Sequence, residues 1–154
     1  MIEIKSGNLF SAPSGLICHQ VNCKGVMGRG VAAAFKQMFP ESYGHYFYCC
    51  QTMEPCDLLG HITIKKEKDY ITVCMFAQEG FNRNPNICNT EYWAFRECCS
   101  HIADYLHIHK ATDTIINMPY GIGCGLGGGD WQHIYSIIEE ELADFHVILW
   151  KLEE

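Results

Sequence analysis

Apolar and polar residues alternate with period two over Ile2-Glu3-Ile4-Lys5 and stop at Gly7-Asn8, which predicts a short opening strand. Residues 15–21 form a short, largely apolar run and predict a buried strand. Gly25, Gly28 and Gly30 then break the chain before Val31, Ala34, Phe35 and Met38 recur at helical spacing as far as Pro40. A second helix is expected over residues 42–51. Two strands, 61–64 and 70–76, are predicted on either side of a charged turn at 65–69, and the polar stretch 80–89 reads as a loop. Helix returns after Thr90, with Phe95, Cys99, Ile102 and Leu106 on one face. Residues 114–118 predict another buried strand, 121–129 a glycine loop, and Asp130 opens a helix that turns Ile134, Ile138 and Leu142 inward. A strand over 145–150 closes the order. This alternation predicts a three-layer α/β/α sandwich around a mixed, mostly parallel sheet of about six strands, and residues 1–154 are expected to form a single domain.

Composition changes this picture little. Apolar residues at 48% supply a core for 154 residues without covalent staples. The ten cysteines include the adjacent pairs Cys49-Cys50 and Cys98-Cys99 but no C-x-x-C spacing, and the N-terminus carries charge where a secretory signal would be apolar. A reducing, cytoplasmic setting is therefore expected, with no metal, no other cofactor and no membrane partner. A formal charge of −7 argues against charge-driven contact with nucleic acid. It leaves room for a small anion, because backbone N–H groups and a helix N-terminus can hold a diphosphate locally.

Two loops carry the candidate chemistry. The first, Asn22-Cys23-Lys24-Gly25-Val26-Met27-Gly28-Arg29-Gly30, follows a buried strand and opens a helix, the position at which α/β proteins bind ligands. Its glycine spacing is not the dinucleotide G-x-G-x-x-G pattern. The second, Gly121-Ile122-Gly123-Cys124-Gly125-Leu126-Gly127-Gly128-Gly129, has six glycines in nine residues. Each costs about 0.5–1 kcal/mol against alanine, more than a simple connector needs, so a cradle of backbone amides is the functional reading. It lacks the Lys-Ser/Thr ending of a P-loop, which argues against a nucleoside triphosphatase.

These loops, together with Gly7-Asn8-Leu9-Phe10 and the run 17–32 that contains His19, Gln20 and Asn22, resemble macrodomains over nearly the whole chain. The resemblance is to the branch containing terminal ADP-ribose protein glycohydrolase, the DNA ADP-ribosyl glycohydrolase antitoxins and the ADP-ribose-1''-phosphate phosphatases. It implies an ADP-ribose-binding protein, either a hydrolase acting in de-ADP-ribosylation or on ADP-ribose-1''-phosphate, or a reader that binds without cleaving. It implies Asn8 and Leu9 at the adenine end. Gln20, Asn22, Lys24, Gly25, Val26, Met27, Gly28, Gly30 and Val31 would meet the distal ribose and a phosphate, and Gly121, Ile122, Gly123, Cys124, Gly125, Leu126, Gly127 and Gly128 would cradle the diphosphate. The implied partner is ADP-ribose or an ADP-ribosylated substrate, nucleic acid entering only when so modified, and the chain is expected to be a monomer.

Two departures bear on catalysis. Glycohydrolases of this branch have a lysine shortly after the strand matching 70–76, and the protein glycohydrolase has an aspartate directly after its Gly-Cys-Gly-Leu; here 77–83 lacks lysine and Gly127 follows Leu126. Asp130 and His19 are the remaining candidates. Asp130 fits both an N-cap and a general base, and His19, matching a histidine of the phosphatase branch, fits both a core residue and a base. Cys23 and Cys124 read as packing residues rather than nucleophiles, since no histidine partner is indicated.

Overall fold

Leu16–Val21 (β2) is apolar almost throughout, and it takes the position in which both faces are covered. Parallel strands Tyr70–Phe76 (β4) and Ile116–Pro119 (β5) flank it. Outward from β5 lie Val147–Lys151 (β6) and Ile2–Ser6 (β1), both parallel, while Ile62–Glu67 (β3) closes the other edge antiparallel to β4. The computed structural model describes residues 1–153, and its sheet order is β1-β6-β5-β2-β4-β3.

Helices cover both faces. Alternate strand residues Leu16, Cys18, Val73, Met75, Met118 and Leu149 pack on Tyr92–Ile108 (α4) and Trp131–Glu141 (α5) through Phe95, Cys99, Ile102, Ile134 and Ile138. Ile17, Val21, Cys74 and Phe76 face the other way. They meet Phe35 of Gly30–Met38 (α1), Tyr46 of Pro40–Thr52 (α2) and Leu58 of the short Pro55–Leu58 (α3). The three-layer sandwich and the mixed six-stranded sheet are therefore as the periodicity predicts.

Boundaries differ in three places. β3 continues through Lys65, Lys66 and Glu67, leaving only Lys68 and Asp69 as the turn. Lys68 takes φ +56°, which suits a tight hairpin, and Glu67 is turned inward. There its carboxylate accepts from Ser42 N–H and Oγ–H at 2.7 Å each and from Glu41 N–H at 3.2 Å, at the first turn of α2. A charged residue was thus read as turn because its buried partner lies 25 positions away. β5 and β6 each begin two residues later than expected, and the 3-10 turn Leu9–Ser11 and α3 are too short to leave a periodic trace.

Asn117 binds three elements together from a fully buried position on β5. Its amide donates to the carbonyls of Ser14 and Leu16 at 2.9 and 3.0 Å, and its Oδ1 accepts from the Trp150 indole at 2.9 Å. Asn117→Ala strands those groups without partners, and a loss of about 2–4 kcal/mol is expected in urea unfolding. Unchanged stability would show that water replaces the amide.

Candidate functional site

Where β2 and β5 end, their following loops separate and leave a cavity of about 330 Å³ between them. Parallel strands that stop side by side make such a crevice at their C-terminal ends. Each wall is held in place by residues outside it.

The wall formed by residues 22–30 rests on α2. Asn22 Oδ1 accepts from Lys24 N–H at 2.9 Å and from the Tyr46 hydroxyl at 2.8 Å, while its Nδ2 donates to the Val26 carbonyl at 2.8 Å. Tyr43, one turn earlier, donates to the Gly25 carbonyl at 3.0 Å. Asn22 therefore spends its side-chain oxygen on shaping its own loop, although the residue does line the cavity.

The opposite wall, 121–129, is clasped by the segment that links β4 to α4. Thr90 Oγ donates to the Gly123 carbonyl at 2.7 Å and accepts from Gln20 Nε2 at 2.8 Å, and Gln20 also donates to Gln78 at 2.8 Å. The Gly127 carbonyl receives the N–H groups of Asn89 and Thr90 at 2.7 and 2.9 Å. Glycine is required by this closeness. A Cβ on Gly127 would lie 2.5 Å from the Gly123 carbonyl oxygen, and one on Gly123, at φ +78°, would lie 2.8 Å from Gln20 Oε1.

His19 contributes to the cavity lining, but its ring packs on Phe35 at 4.0 Å between centroids, and its Nε2 lies 3.6 Å from Cys74 Sγ. Burial pulls its pKa down to about 3, so the imidazole is neutral near pH 7. Asp130 is exposed, caps α5 by accepting from His133 N–H at 3.2 Å, and lies outside the lining. Burial, reinforced by Cys50 and Glu79, pushes the Cys23 thiol up to about 12. Burial with Asp130 and Cys88 pushes Cys124 up to about 11. Neither holds a thiolate at neutral pH, which suits packing rather than nucleophilic attack.

Of the residues expected to bind ligand, Gln20, Asn22, Val26, Met27, Gly28, Gly30, Val31, Gly121, Ile122, Gly123, Gly125, Leu126 and Gly127 line the cavity. Asn8, Leu9, Lys24, Gly25, Cys124 and Gly128 do not. Asn8 instead caps the turn Leu9–Ser11 through a 2.9 Å bond from Phe10 N–H, and Leu9 is buried in the core. Gly25 lies against Phe47 and carries the carbonyl that Tyr43 grips. The lining also includes residues that the sequence reading did not select, above all Arg29, Gln78, Phe81, Arg83 and Tyr120. Arg29 lies within the first glycine loop, whereas Phe81 and Arg83 lie in a segment that reads only as polar loop. Its repeated asparagines, Asn82, Asn84 and Asn86, were the available signal of a shaped rather than slack segment.

Among the described residues, two arginines and no carboxylate line the cavity, in a protein whose net charge is −7. Such a site favours an anion, with glycine-loop amides as further donors. Among the described residues no group of three or more His, Cys, Asp or Glu is arranged to hold a metal, and no helix is long and apolar enough to cross a membrane.

An α/β/α sandwich with a glycine-walled anion cavity at the strand ends is the arrangement of a macrodomain. No family model matches the chain. It is, however, 48% identical to the ADP-ribose 1''-phosphate phosphatase of Aspergillus oryzae over 92% of this chain and 90% of that protein. It is 43% identical to the DNA ADP-ribosyl glycohydrolase of Thermus aquaticus over 99% of this chain, which spans 41% of that longer protein. The macrodomain of Mycobacterium tuberculosis DarG shares the fold, with a TM-score of 0.76 at 20% identity and 97% coverage of each chain. The chain belongs to the macrodomain family, in the branch of the ADP-ribose 1''-phosphate phosphatases and DNA ADP-ribosyl glycohydrolases.

His19 makes stability depend on pH. Its folded pKa, about 3, lies below the unfolded value near 6.5, so the unfolded chain binds the extra proton. This contribution is complete above pH 6.5 and is lost as the pH falls toward 3, by about 1.4 kcal/mol per pH unit in between. His19→Gln should flatten the decline in unfolding free energy between pH 6.5 and 5. Parallel curves for the two proteins would show that water reaches the ring.

Proposed function

We propose that the chain binds ADP-ribose in this cavity and hydrolyses either the bond that joins the distal ribose to a modified macromolecule or a phosphate ester on that ribose. The observation that carries the reading is the cavity itself, with amide-rich glycine walls and two arginines without a carboxylate, in a family whose named members include hydrolases. Val31, Ala32, Pro119 and Tyr120 are among the lining residues with apolar surface suited to adenine. The amides of Gly123, Gly125, Leu126 and Gly127, with Arg29, suit the diphosphate. Asn22, Phe81 and Arg83 are further lining residues that could meet the distal ribose.

Catalysis in this reading rests on positioning and on cations that offset developing charge. Asp130 caps α5 outside the cavity lining, and burial makes the cavity-lining imidazole of His19 a weak base although its Nδ1 is unpartnered, so neither is a strong base poised in the cavity. That same feature favours a second reading, a module that binds ADP-ribose without cleaving it. A turnover assay separates the two. A cytoplasmic setting goes with either reading, supported by ten free thiols of which five are buried, and the chain is taken to act as a monomer.

ADP-ribose should bind with micromolar affinity, about −8 kcal/mol, because a large polar nucleotide meets preformed donors. Gly125→Val should abolish the calorimetric signal while circular dichroism stays unchanged, since a Cβ at Gly125 meets nothing within 4 Å and projects from the loop. Binding that survives this change would place the ligand elsewhere. Asp130→Ala should cost about 1 kcal/mol of stability and spare turnover of ADP-ribosylated protein, ADP-ribosylated DNA and ADP-ribose-1''-phosphate. A rate loss of about 100-fold at unchanged affinity would instead make Asp130 the base.

A further inference from the structure

Among the described residues two buried side-chain polar atoms lack a hydrogen-bond partner, His19 Nδ1 and Gln20 Oε1, and both residues line the cavity from the end of β2. A buried acceptor without a donor is costly, so a fold keeps one only where the alternative is worse. For Gln20 the alternative can be read from its bonds. Its Nε2 donates to Gln78 Oε1 and to Thr90 Oγ, at 2.8 Å each. Thr90 Oγ passes its proton to the Gly123 carbonyl at 2.7 Å, and Gln78 Nε2 donates to the Gly80 carbonyl at 2.7 Å. One chain of hydrogen bonds thus crosses the ends of three neighbouring strands, β4, β2 and β5. Both of its ends are backbone carbonyls, which only accept.

Those two ends fix the direction of every link. Thr90 spends its one proton on Gly123, so toward Gln20 it can only accept. Gln78 has turned its NH2 group to Gly80, so toward Gln20 it presents oxygen. Gln20 must therefore offer its NH2 group to both, and its Oε1 is left beside Gly123, 2.8 Å from where a Cβ would stand. The reversed chain would satisfy that oxygen, which would accept from Thr90 and from Gln78. It would also take the Gln78 donor from Gly80 and leave the Gly123 carbonyl with the Gly129 N–H alone, at 2.9 Å. The unpaired oxygen is the cost of holding two backbone carbonyls in place.

We propose that Gln20 is a positioning residue: the polarity of its amide, acting through Thr90, keeps the Gly123 carbonyl turned away from the ligand and so makes this wall of the cavity a donor surface for anions. The inference rests on the ADP-ribose reading of the cavity. A carbonyl oxygen repels a phosphate oxygen where an amide attracts it, so a released carbonyl weakens anion binding without a change of fold. An acid in place of Gln20 reverses the chain. Its carboxylate accepts from the Thr90 hydroxyl and from the Gln78 amide, so the side chains stay bonded to one another while both backbone carbonyls lose a donor.

The test is a double-mutant cycle in ADP-ribose affinity, measured by calorimetry with thermal unfolding on the same samples, over wild type, Gln20→Glu, Thr90→Val and the double variant. Gln20→Glu and Thr90→Val should each lower affinity by about 10- to 100-fold, the range for a mispaired buried polar group. The double variant should fall no more than about threefold below Thr90→Val, because the Gly123 carbonyl has by then already lost its Thr90 donor. Thr90→Ser keeps the hydroxyl and should recover most of the loss seen in Thr90→Val. Losses that multiply in the double variant, as direct repulsion between the carboxylate and the diphosphate would give, overturn the proposal. So does Gln20→Glu that binds like wild type, or Thr90→Ser that binds as weakly as Thr90→Val. Should Gln20→Glu fail to fold, Gln20→Met decides: it leaves the Thr90 proton on Gly123 and should bind more tightly than Thr90→Val, and the reverse order overturns the proposal. Absence of any ADP-ribose binding by wild type is a different result: it removes the reading on which the proposal rests.

Discussion

Thr90 holds one hydroxyl between two walls. Its Oγ accepts from Gln20 at the end of β2 and donates to the Gly123 carbonyl in the loop after β5, so the two strand ends and the segment leading into α4 meet at one atom. Backbone polar groups in a glycine-rich loop have no regular ladder to satisfy them, and a loop so flexible would otherwise collapse into the crevice or sample many shapes. Here the Gly123 carbonyl accepts from Thr90 and from Gly129 N–H, and the Gly127 carbonyl accepts from Asn89 and Thr90. With the carbonyls committed outward to this clasp, the remaining amides are left for a ligand. The cavity depends on that division of labour.

The first loop is organised by a parallel device from the opposite face of the sheet. Tyr43 and Tyr46, one turn apart on α2, hold the Gly25 carbonyl and Asn22, and Tyr46 itself stacks on Phe76 of β4. Packing in the core is thereby transmitted to loop geometry. The result is a site preorganised on rigid elements, which lowers the ordering cost of binding a long nucleotide.

Periodicity made the fold legible because most elements are long enough to repeat their pattern, as the faces of α4 and α5 show. Glu67 was misplaced because its reason for being in a strand is a buried contact with Ser42, far away in sequence. The glycine loops were legible by composition, and nearly all of their cavity-facing residues were selected. What escaped was the clasp. Gln78, Asn89 and Thr90 carry no spacing that links them to residues 121–129, and their polar character is that of any surface loop. Asp130 is ambiguous in sequence between helix cap and general base; in the fold its carboxylate caps α5, outside the cavity lining.

The account makes the amides of the clasped glycine loop the ligand's seat, and their resonances report this directly. In a ¹⁵N-labelled sample titrated with ADP-ribose, the backbone signals of residues 123–127 and 26–30 should move together and saturate at one affinity. Signals around the separate polar hollow lined by Lys24, Gln51 and Glu54 should stay in place. Shifts confined to that hollow, or none at saturating nucleotide, would contradict the account.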